Sequence, residues 1–250
     1  MKRILFSLLL LPFFAKAQNV TIDSTSFKNT PRKANFSKYK SRSQYSYSIA
    51  ANLFSIEEFP KILNQVNSEE YKKLYASGLM LKFNDNQISY RISGTFYSDN
   101  ISFDNECADC EKVKGKVSDN ALRVGFEKNF MYSVIQPYFG FDMGFRRNIF
   151  RGSAQDGPNS NVTYPSYDVK TQKNGFSLAP LFGIKVNPIN HLTLAIESSI
   201  DLLYSYEKQE KNYYGVNTNP APSFSDFKKW EFLFKPIGML SLQYNFGLVY

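Results

Sequence analysis

The last eleven residues of the chain alternate between two kinds of side chain. Apolar or aromatic residues occupy every second position from Leu240 to Tyr250, and small or polar residues such as Gln243 and Asn245 stand between them. A β-strand sends successive side chains to opposite faces, so one face of this segment meets an apolar medium and the other a wetter one. The pattern predicts a two-faced strand that ends the chain.

The amino terminus has the features of a secretory signal peptide. Two basic residues precede the apolar run Ile4–Phe14, and Ala15-Lys16-Ala17 forms an A-x-A cleavage site before Gln18. The run is shorter than the roughly 20 residues that a membrane-spanning helix needs. No Cys follows the cleavage site to carry a lipid. We therefore predict that residues 1–17 are removed during export.

Residues 18–44 are rich in cations and poor in apolar side chains, which predicts a poorly ordered, basic periplasmic arm. Two interpretations of the arm remain open: a solvated tail, or a contact with anionic lipid headgroups or an acidic partner. An exported chain has little access to nucleic acid, and we find no motif for binding it. The cations are Lys28, Arg32, Lys33, Lys38, Lys40 and Arg42.

Residues 45–250 contain further alternating segments, and the connections between them switch between short and long. Transmembrane barrels place short turns in the periplasm and long loops outside. We therefore predict one all-β domain, a transmembrane antiparallel up-and-down β-barrel with about eight strands. The short turns fall at 84–86, 129–133 and 187–190, and the long connections at about 55–74, 97–118, 151–174 and 207–228.

Two details of this barrel concern its first strand and the connection that follows it. The weakest strand is the first, Tyr45–Phe54; without it, the last segment would have to split near Pro236 and Gly238 to keep the strand number even. The connection after the first strand has a weak helical pattern, so we predict a short helical element in this extracellular loop. That pattern consists of Phe59, Ile62, Leu63 and Val66, with Ser68 as a possible N-cap before Glu69 and Glu70.

The face opposite the apolar one carries charges of both signs among small residues. The interior of an eight-stranded barrel is just wide enough to be filled by side chains, and charges buried there need partners. We therefore predict a lumenal ion-pair network in a largely closed barrel, with a proton or ion path as the alternative. The predicted members are Lys82, Arg91, Arg123, Glu127, Asp142, Arg146, Lys185, Glu197 and Asp201.

Alternation alone does not say which face points inward. In a soluble lipocalin-like barrel the apolar face would line a ligand cavity and the charged face would meet water. The aromatic carboxyl terminus, the asymmetry of turns and loops and the 16% aromatic content favour the membrane barrel, since aromatic girdles form at membrane interfaces.

The sequence gives little support to catalysis, a metal site or a cofactor. His191 is the only histidine and lies at a predicted turn, where Ser133 on a neighbouring turn is the nearest candidate nucleophile. We therefore predict that the protein is not an enzyme. Cys107 and Cys110 form a C-x-x-C in a predicted outer loop, which predicts a disulfide in an oxidising compartment. A zinc site would need two further ligands.

The chain end resembles the carboxyl-terminal insertion signal of bacterial outer-membrane β-barrels. The residues that carry this resemblance are Leu240, Leu242, Tyr244, Phe246, Leu248 and Tyr250. Together with the signal peptide, the Asn187-Pro188 turn and the Phe234–Phe246 ending, they make the chain resemble small outer-membrane barrels of Bacteroidota, both PorT-type barrels associated with type IX secretion and OmpX-like ones. The resemblance implies an outer-membrane location, contact with outer-membrane lipids, insertion by the barrel-assembly machinery and a protein partner.

Three functions are compatible with such a barrel. The first, which we favour, is a non-catalytic surface, anchoring or accessory subunit of a larger outer-membrane complex, with a role in secretion or assembly as one form of it. The second is a channel or transporter for small solutes or lipid, which would need a hydrated lumen. The third and least favoured is a lipid-modifying enzyme that depends on His191.

Overall fold

The computed structural model describes residues 45–66, 71–106, 111–156, 166–214 and 221–248. These residues form eight antiparallel strands, each paired with its neighbours in sequence and the first with the last, in a closed up-and-down barrel. The predicted fold class is thus confirmed. The strands are β1 (Tyr45–Glu58), β2 (Tyr71–Asp85), β3 (Ile88–Asn105), β4 (Glu111–Asn129), β5 (Ile135–Asp156), β6 (Tyr167–Ile189), β7 (Leu192–Tyr213) and β8 (Ser223–Leu248).

The first and last strands pair and close the barrel. The first strand, which has the weakest sequence pattern, is therefore part of it. Tyr47 pairs with Phe246 and Ile49 with Tyr244 across this seam. β8 stays a single strand, and the alternative in which it splits is wrong. Residues 236–238 lie opposite Ser198 of β7 as a bulge, because Pro236 has no amide hydrogen to give to the sheet.

The apolar side chains of the alternating pattern point outward and surround the barrel as a band, which we call the belt. Aromatic residues are concentrated at both of its rims: Phe83, Tyr90, Phe126, Phe139, Tyr244 and Phe246 at the rim near the short turns, and Tyr75, Phe96, Phe145, Phe176, Tyr204 and Trp230 at the other. A continuous apolar band of this size is typical of a barrel surrounded by lipid. The lipocalin-like alternative is therefore wrong, because the charged face points inward.

Beyond the belt the strands continue, and this upper part of the barrel, formed by β3 to β8, is called the extension here. Most residues of the predicted long connections at 97–118, 151–174 and 207–228 are strand, and the segments between the strands shrink to 106–110, 157–166 and 214–222. The connection between β1 and β2 spans residues 59–70. The sequence does not predict these upper strand segments, because their outward residues become polar beyond the belt. The difference in polarity between the two faces of the strand is then lost.

The extension has an apolar core of its own, and the connection between β1 and β2 folds into it. Ile62 and Leu63 are buried there against strand residues. These residues are Phe103, Val113, Val117, Phe150, Ala154, Tyr167 and Val169. The predicted helix is absent from residues 59–66, where Leu63 has a left-handed φ of 55° that breaks a helical path. The other predicted helical positions, Ser68, Glu69 and Glu70, lie outside the described residues.

Several other predictions concern residues outside the described part of the chain. They are the signal peptide at 1–17, the basic arm at 18–44, the Cys107–Cys110 disulfide and the terminal Tyr250. Within the described residues, no helix is long and apolar enough to cross a membrane.

The barrel wall is not uniform above the belt. β2 and β3 pair only from Asp85–Ile88 up to Gly78–Thr95, and β1 pairs with β8 only up to Ile56 and Ile237. The β1–β2 connection joins the free edges across the top: Gln65 forms a bridge with Asn105 of β3, and the Lys61 amide donates a 2.9 Å hydrogen bond to Glu231 of β8.

Candidate functional site

The lumen is filled by three groups of charged side chains, and the group nearest the short turns surrounds Glu127. Its carboxylate is fully buried and accepts hydrogen bonds from Lys82, at 2.8 Å, and from Lys185. The Arg91 guanidinium lies 3.4 Å from the same carboxylate. One anion from β4 thus faces three cations from β2, β3 and β6.

Two more carboxylates balance this group by binding Arg91. The guanidinium donates bidentate hydrogen bonds to Asp142, at 2.6 and 2.8 Å, and to Glu197, at 2.6 and 2.9 Å. The planar fork of arginine suits this double recognition, which a lysine could not reproduce. Arg91 therefore connects three strands, β3, β5 and β7, through the middle of the barrel.

Tyr138 fills the space beside this group. Its ring is fully buried, its hydroxyl donates a 3.1 Å hydrogen bond to Glu197, and the ammonium groups of Lys82 and Lys185 lie 5.8 and 4.6 Å from the ring centroid. The ring packs flat over Gly183 of the neighbouring strand, where a Cβ atom would lie 2.4 Å from the ring. Glycine is required there for space.

We expect Gly183→Ala to lower the free energy of unfolding by about 1–3 kcal/mol, because the added methyl group forces Tyr138 out of its position. Gly94→Ala is the matched control, since a Cβ atom at Gly94 has no neighbour within 4 Å. Urea unfolding of the folded barrel measures both. Equal stability of the two variants would contradict the tight packing of the ring.

The second group lies further along the barrel and centres on Asp201. Arg123 approaches this buried carboxylate at 2.6 Å, Lys235 at 3.3 Å and Arg146 at 3.9 Å. Two anions that the sequence analysis did not select complete the group. Glu57 lies 2.6 Å from Lys235, and Asp119 accepts a 2.9 Å bond from Arg146.

The third group lies at the base of the extension and holds the β1–β2 connection in place. Lys173 lies 2.8 Å from Glu231 and 3.3 Å from Glu207, and it also donates a 2.5 Å hydrogen bond to the backbone carbonyl of Lys61. Lys229 lies 3.3 Å from Glu207. The connection is thereby fixed as a plug, defined here as residues 59–66.

Charges of the two signs are equal in number across the three groups. The cations are Lys82, Arg91, Arg123, Arg146, Lys173, Lys185, Lys229 and Lys235, and the anions are Glu57, Asp119, Glu127, Asp142, Glu197, Asp201, Glu207 and Glu231. Since every member is paired, the three groups present no row of one sign along which an ion would be drawn.

All nine charged residues selected from the sequence belong to these groups. Eight are buried and Arg123 is half-buried. Seven members were not predicted from the sequence, because they lie in or beside the predicted connections or in the segment interrupted by Pro236. They are Glu57, Asp119, Lys173, Glu207, Lys229, Glu231 and Lys235. The sequence could have predicted two of them. Lys173 and Glu207 lie an even number of residues from the inward positions of their own strands, so extending the alternation beyond the belt places them inside the barrel.

The end with the short turns contains an open cavity of about 380 Å³. Amides and hydroxyls dominate its lining, and Lys82 and Lys185 form its inner end. The polar lining residues include Ser48, Asn84, Ser89, Asn129, Gln136, Asn187, Thr193, Gln243 and Asn245. At its rim, burial raises the pKa of the Tyr132 hydroxyl to about 12, and this hydroxyl donates a hydrogen bond to the backbone carbonyl of Asn86.

His191 and Ser133 also border this cavity, but they bind other groups. The His191 ring nitrogen Nδ1 lies 2.9 Å from the backbone carbonyl of Asn245 and donates to it, and the ring contacts Tyr45 with centroids 4.7 Å apart. Ser133 donates to the carbonyl of Ile135. Within the described residues, no group of three or more His, Cys, Asp or Glu side chains is arranged to hold a metal ion.

An apolar belt outside and paired charges inside together decide the type of barrel. The architecture is that of a transmembrane β-barrel. No protein-family model matches the chain, and no curated protein matches its sequence. Among solved structures it is similar to the outer membrane protein AlkL, determined by solid-state NMR in DMPC lipid bilayers, at 15% sequence identity, over 90% of this chain and 99% of that chain, with a TM-score of 0.43.

Proposed function

We propose that this protein is a non-catalytic, non-conducting outer-membrane barrel that serves as a surface, anchoring or accessory subunit of a larger complex. The observation that carries this proposal is the filled lumen: beyond the cavity at the end with the short turns, the three charged groups and the plug occupy it. A barrel without a pore can still act through the parts that it holds outside the bilayer.

The orientation follows from the unequal ends of the barrel. The short turns, the start of β1 and the end of β8 lie at one end, which in outer-membrane barrels faces the periplasm. The extension then projects from the cell surface, and the cavity of about 380 Å³ opens to the periplasm. We assign the partner-binding role to the extension, because it is a folded structure with its own core and not a set of loose loops.

Single-channel recording in planar bilayers tests the closed lumen. We expect purified protein to give no steady conductance, because an ion would have to displace buried, hydrogen-bonded charge pairs to pass. An open porin in the same bilayers is the positive control. Frequent, long-lived openings of uniform size would overturn the proposal.

A channel for small solutes is the second candidate, and two observations favour it. The periplasmic cavity already reaches the Glu127 group, and the upper closure is made by a connecting segment that could leave the mouth. Replacing residues 59–65 by a short Gly-Ser linker would reveal such a channel if conductance then appeared. Conductance that stayed absent would place the barrier in the charged groups.

Co-purification in gentle detergent tests the accessory role directly. We expect the full chain, extracted from its native membrane, to carry a stoichiometric protein partner that is lost when the extension is disrupted. A monomer that retains no companion would argue against an accessory subunit.

A further inference from the structure

The outer wall of the extension carries a dense group of cations on three neighbouring strands. They are Lys112, Lys114 and Lys116 on β4, Arg147 and Arg151 on β5, and Lys170 on β6, and all six are exposed. We call them the basic patch. Because all point away from the lumen, none takes part in the internal charge groups.

Three members of the basic patch stand in one row across the sheet. Lys116 is the register partner of Arg151, and Arg151 is the partner of Lys170. Side chains at such positions have Cβ atoms roughly 5 Å apart, and like charges placed there repel one another. Within the described part of the chain, none of the three forms an ion pair.

Among the described residues, the acidic side chains that neighbour the patch lie at its margins. Glu210 of β7 is the partner of Lys170, Asp104 of β3 is the partner of Lys112, and Asp168 stands opposite Ser153. The centre of the row therefore has no internal counter-charge. Such an arrangement is unfavourable for the isolated protein and becomes favourable once anions from outside occupy it.

The height of the patch above the belt indicates which anion fits. On each of the three strands the row lies six residues beyond the last belt residue, Leu122, Phe145 or Phe176. Six residues correspond to roughly 15 Å above the belt for strands tilted by about 40°. Arg147, two residues beyond Phe145, lies at roughly 5 Å.

A simple phospholipid does not reach this far. The headgroup layer of a bilayer extends only about 5–8 Å beyond the hydrocarbon. Anionic groups at both heights are found together on a glycolipid whose sugar headgroup carries phosphates or carboxylates. We propose that the basic patch binds the phosphorylated sugar headgroup of an outer-leaflet glycolipid. This inference rests on the outer-membrane placement proposed above but not on a closed lumen.

Exposed lysines on the other strands supply a comparison with equal charge. Lys73 on β2, Lys208 on β7 and Lys228 on β8 are also exposed and also lie beyond the belt, but they are scattered among other residues. The patch variant is Lys116→Gln, Arg151→Gln and Lys170→Gln. The control variant is Lys73→Gln, Lys208→Gln and Lys228→Gln, which removes the same charge at other positions.

The experiment titrates lipopolysaccharide with phosphorylated core sugars into each protein, folded in neutral detergent micelles with EDTA. We expect the patch variant to bind on the order of 10- to 100-fold more weakly than the unmodified protein, and the control variant within about threefold of it. The basic amino-terminal arm is the same in all three proteins, so the difference reports the patch alone. Dephosphorylated lipopolysaccharide and phosphatidylglycerol should bind the unmodified protein weakly.

Equal binding by the patch variant and the unmodified protein would overturn the proposal. Equal affinity for phosphatidylglycerol would overturn the choice of a sugar headgroup, and a preference for acidic peptide over lipopolysaccharide would assign the patch to a protein partner. Insertion into phosphatidylcholine vesicles is measured in parallel. If the unmodified protein fails to insert, the membrane placement itself is wrong; if it inserts and shows no lipopolysaccharide preference, only the patch proposal fails.

Discussion

Glu127→Gln is expected to lower the free energy of unfolding by about 3–5 kcal/mol, the cost of removing one partner from a buried ion pair. The substitution keeps the shape of the side chain and removes its charge. Lys82, Lys185 and Arg91 then repel one another around a neutral amide. The two other carboxylates of the group are already engaged by Arg91.

Urea unfolding monitored by tryptophan fluorescence measures this loss, since Trp230 is the single tryptophan. Glu210→Gln is the control: the same chemical change on the outer face of the extension should alter stability by less than about 0.5 kcal/mol. Adding Lys185→Met to Glu127→Gln should recover part of the loss, because one uncompensated cation is removed. Unchanged stability in Glu127→Gln would mean that the charges are compensated in some other way.

Alternation along each strand was enough to select the lumenal charges inside the belt that the sequence analysis named, but not to pair them. The two-residue period places Arg91, Asp142 and Glu197 on the inward face of their strands. This assignment does not depend on the register between the strands. That Arg91 binds both carboxylates depends on the height of β3, β5 and β7 relative to one another across the lumen. These heights follow from the shear of the closed barrel, which local sequence does not encode.

Position relative to the bilayer explains which parts of the strands can be predicted from the sequence. Within the belt, lipid on one face and paired charges on the other give a strong alternation, as in Leu192–Tyr204. In the extension the outer face meets water while the inner face holds both apolar residues and charges, so Thr171 and Lys173 follow Val169 inward with no common polarity. The two-residue alternation of polarity therefore ends at the edge of the belt, although the strand continues beyond it.

The helix predicted in the β1–β2 connection is absent for a related reason. Phe59, Ile62, Leu63 and Val66 fit a helical spacing, but a connecting segment can bury apolar side chains in any conformation when a neighbouring core receives them. Ile62 and Leu63 are buried by the extension, and the backbone of the segment is held by Lys173 and Asn105. Tertiary contacts override a weak local preference in such cases.

The barrel thus has two interiors with different chemistry. Paired charges fill the part inside the belt, and an apolar core that includes two plug residues fills the extension. Charges inside the belt need partners of opposite sign, whereas the extension is held mainly by apolar packing, and its buried Glu111 accepts hydrogen bonds from Asn105 and Tyr167. This division suggests that the extension can lose its structure while the part inside the bilayer stays folded, since separate cores open with separate free energies.

Phe150→Ala is expected to destabilise the extension selectively, by about 3–5 kcal/mol. Phe150 is fully buried at the centre of the upper core, where its ring lies 5.6 Å from that of Phe103 and packs over Gly115 and Gly152. Hydrogen exchange should show faster exchange of amides in residues 147–156 and 167–174, with little change between 135 and 145.

Phe224→Ala, at a side chain 72% exposed on the same extension, is the matched control and should leave both regions unchanged. Uniform loss of protection over the whole of β5 in Phe150→Ala would show instead that the two interiors unfold as one unit, and the extension could then not change its structure independently of the membrane-embedded barrel.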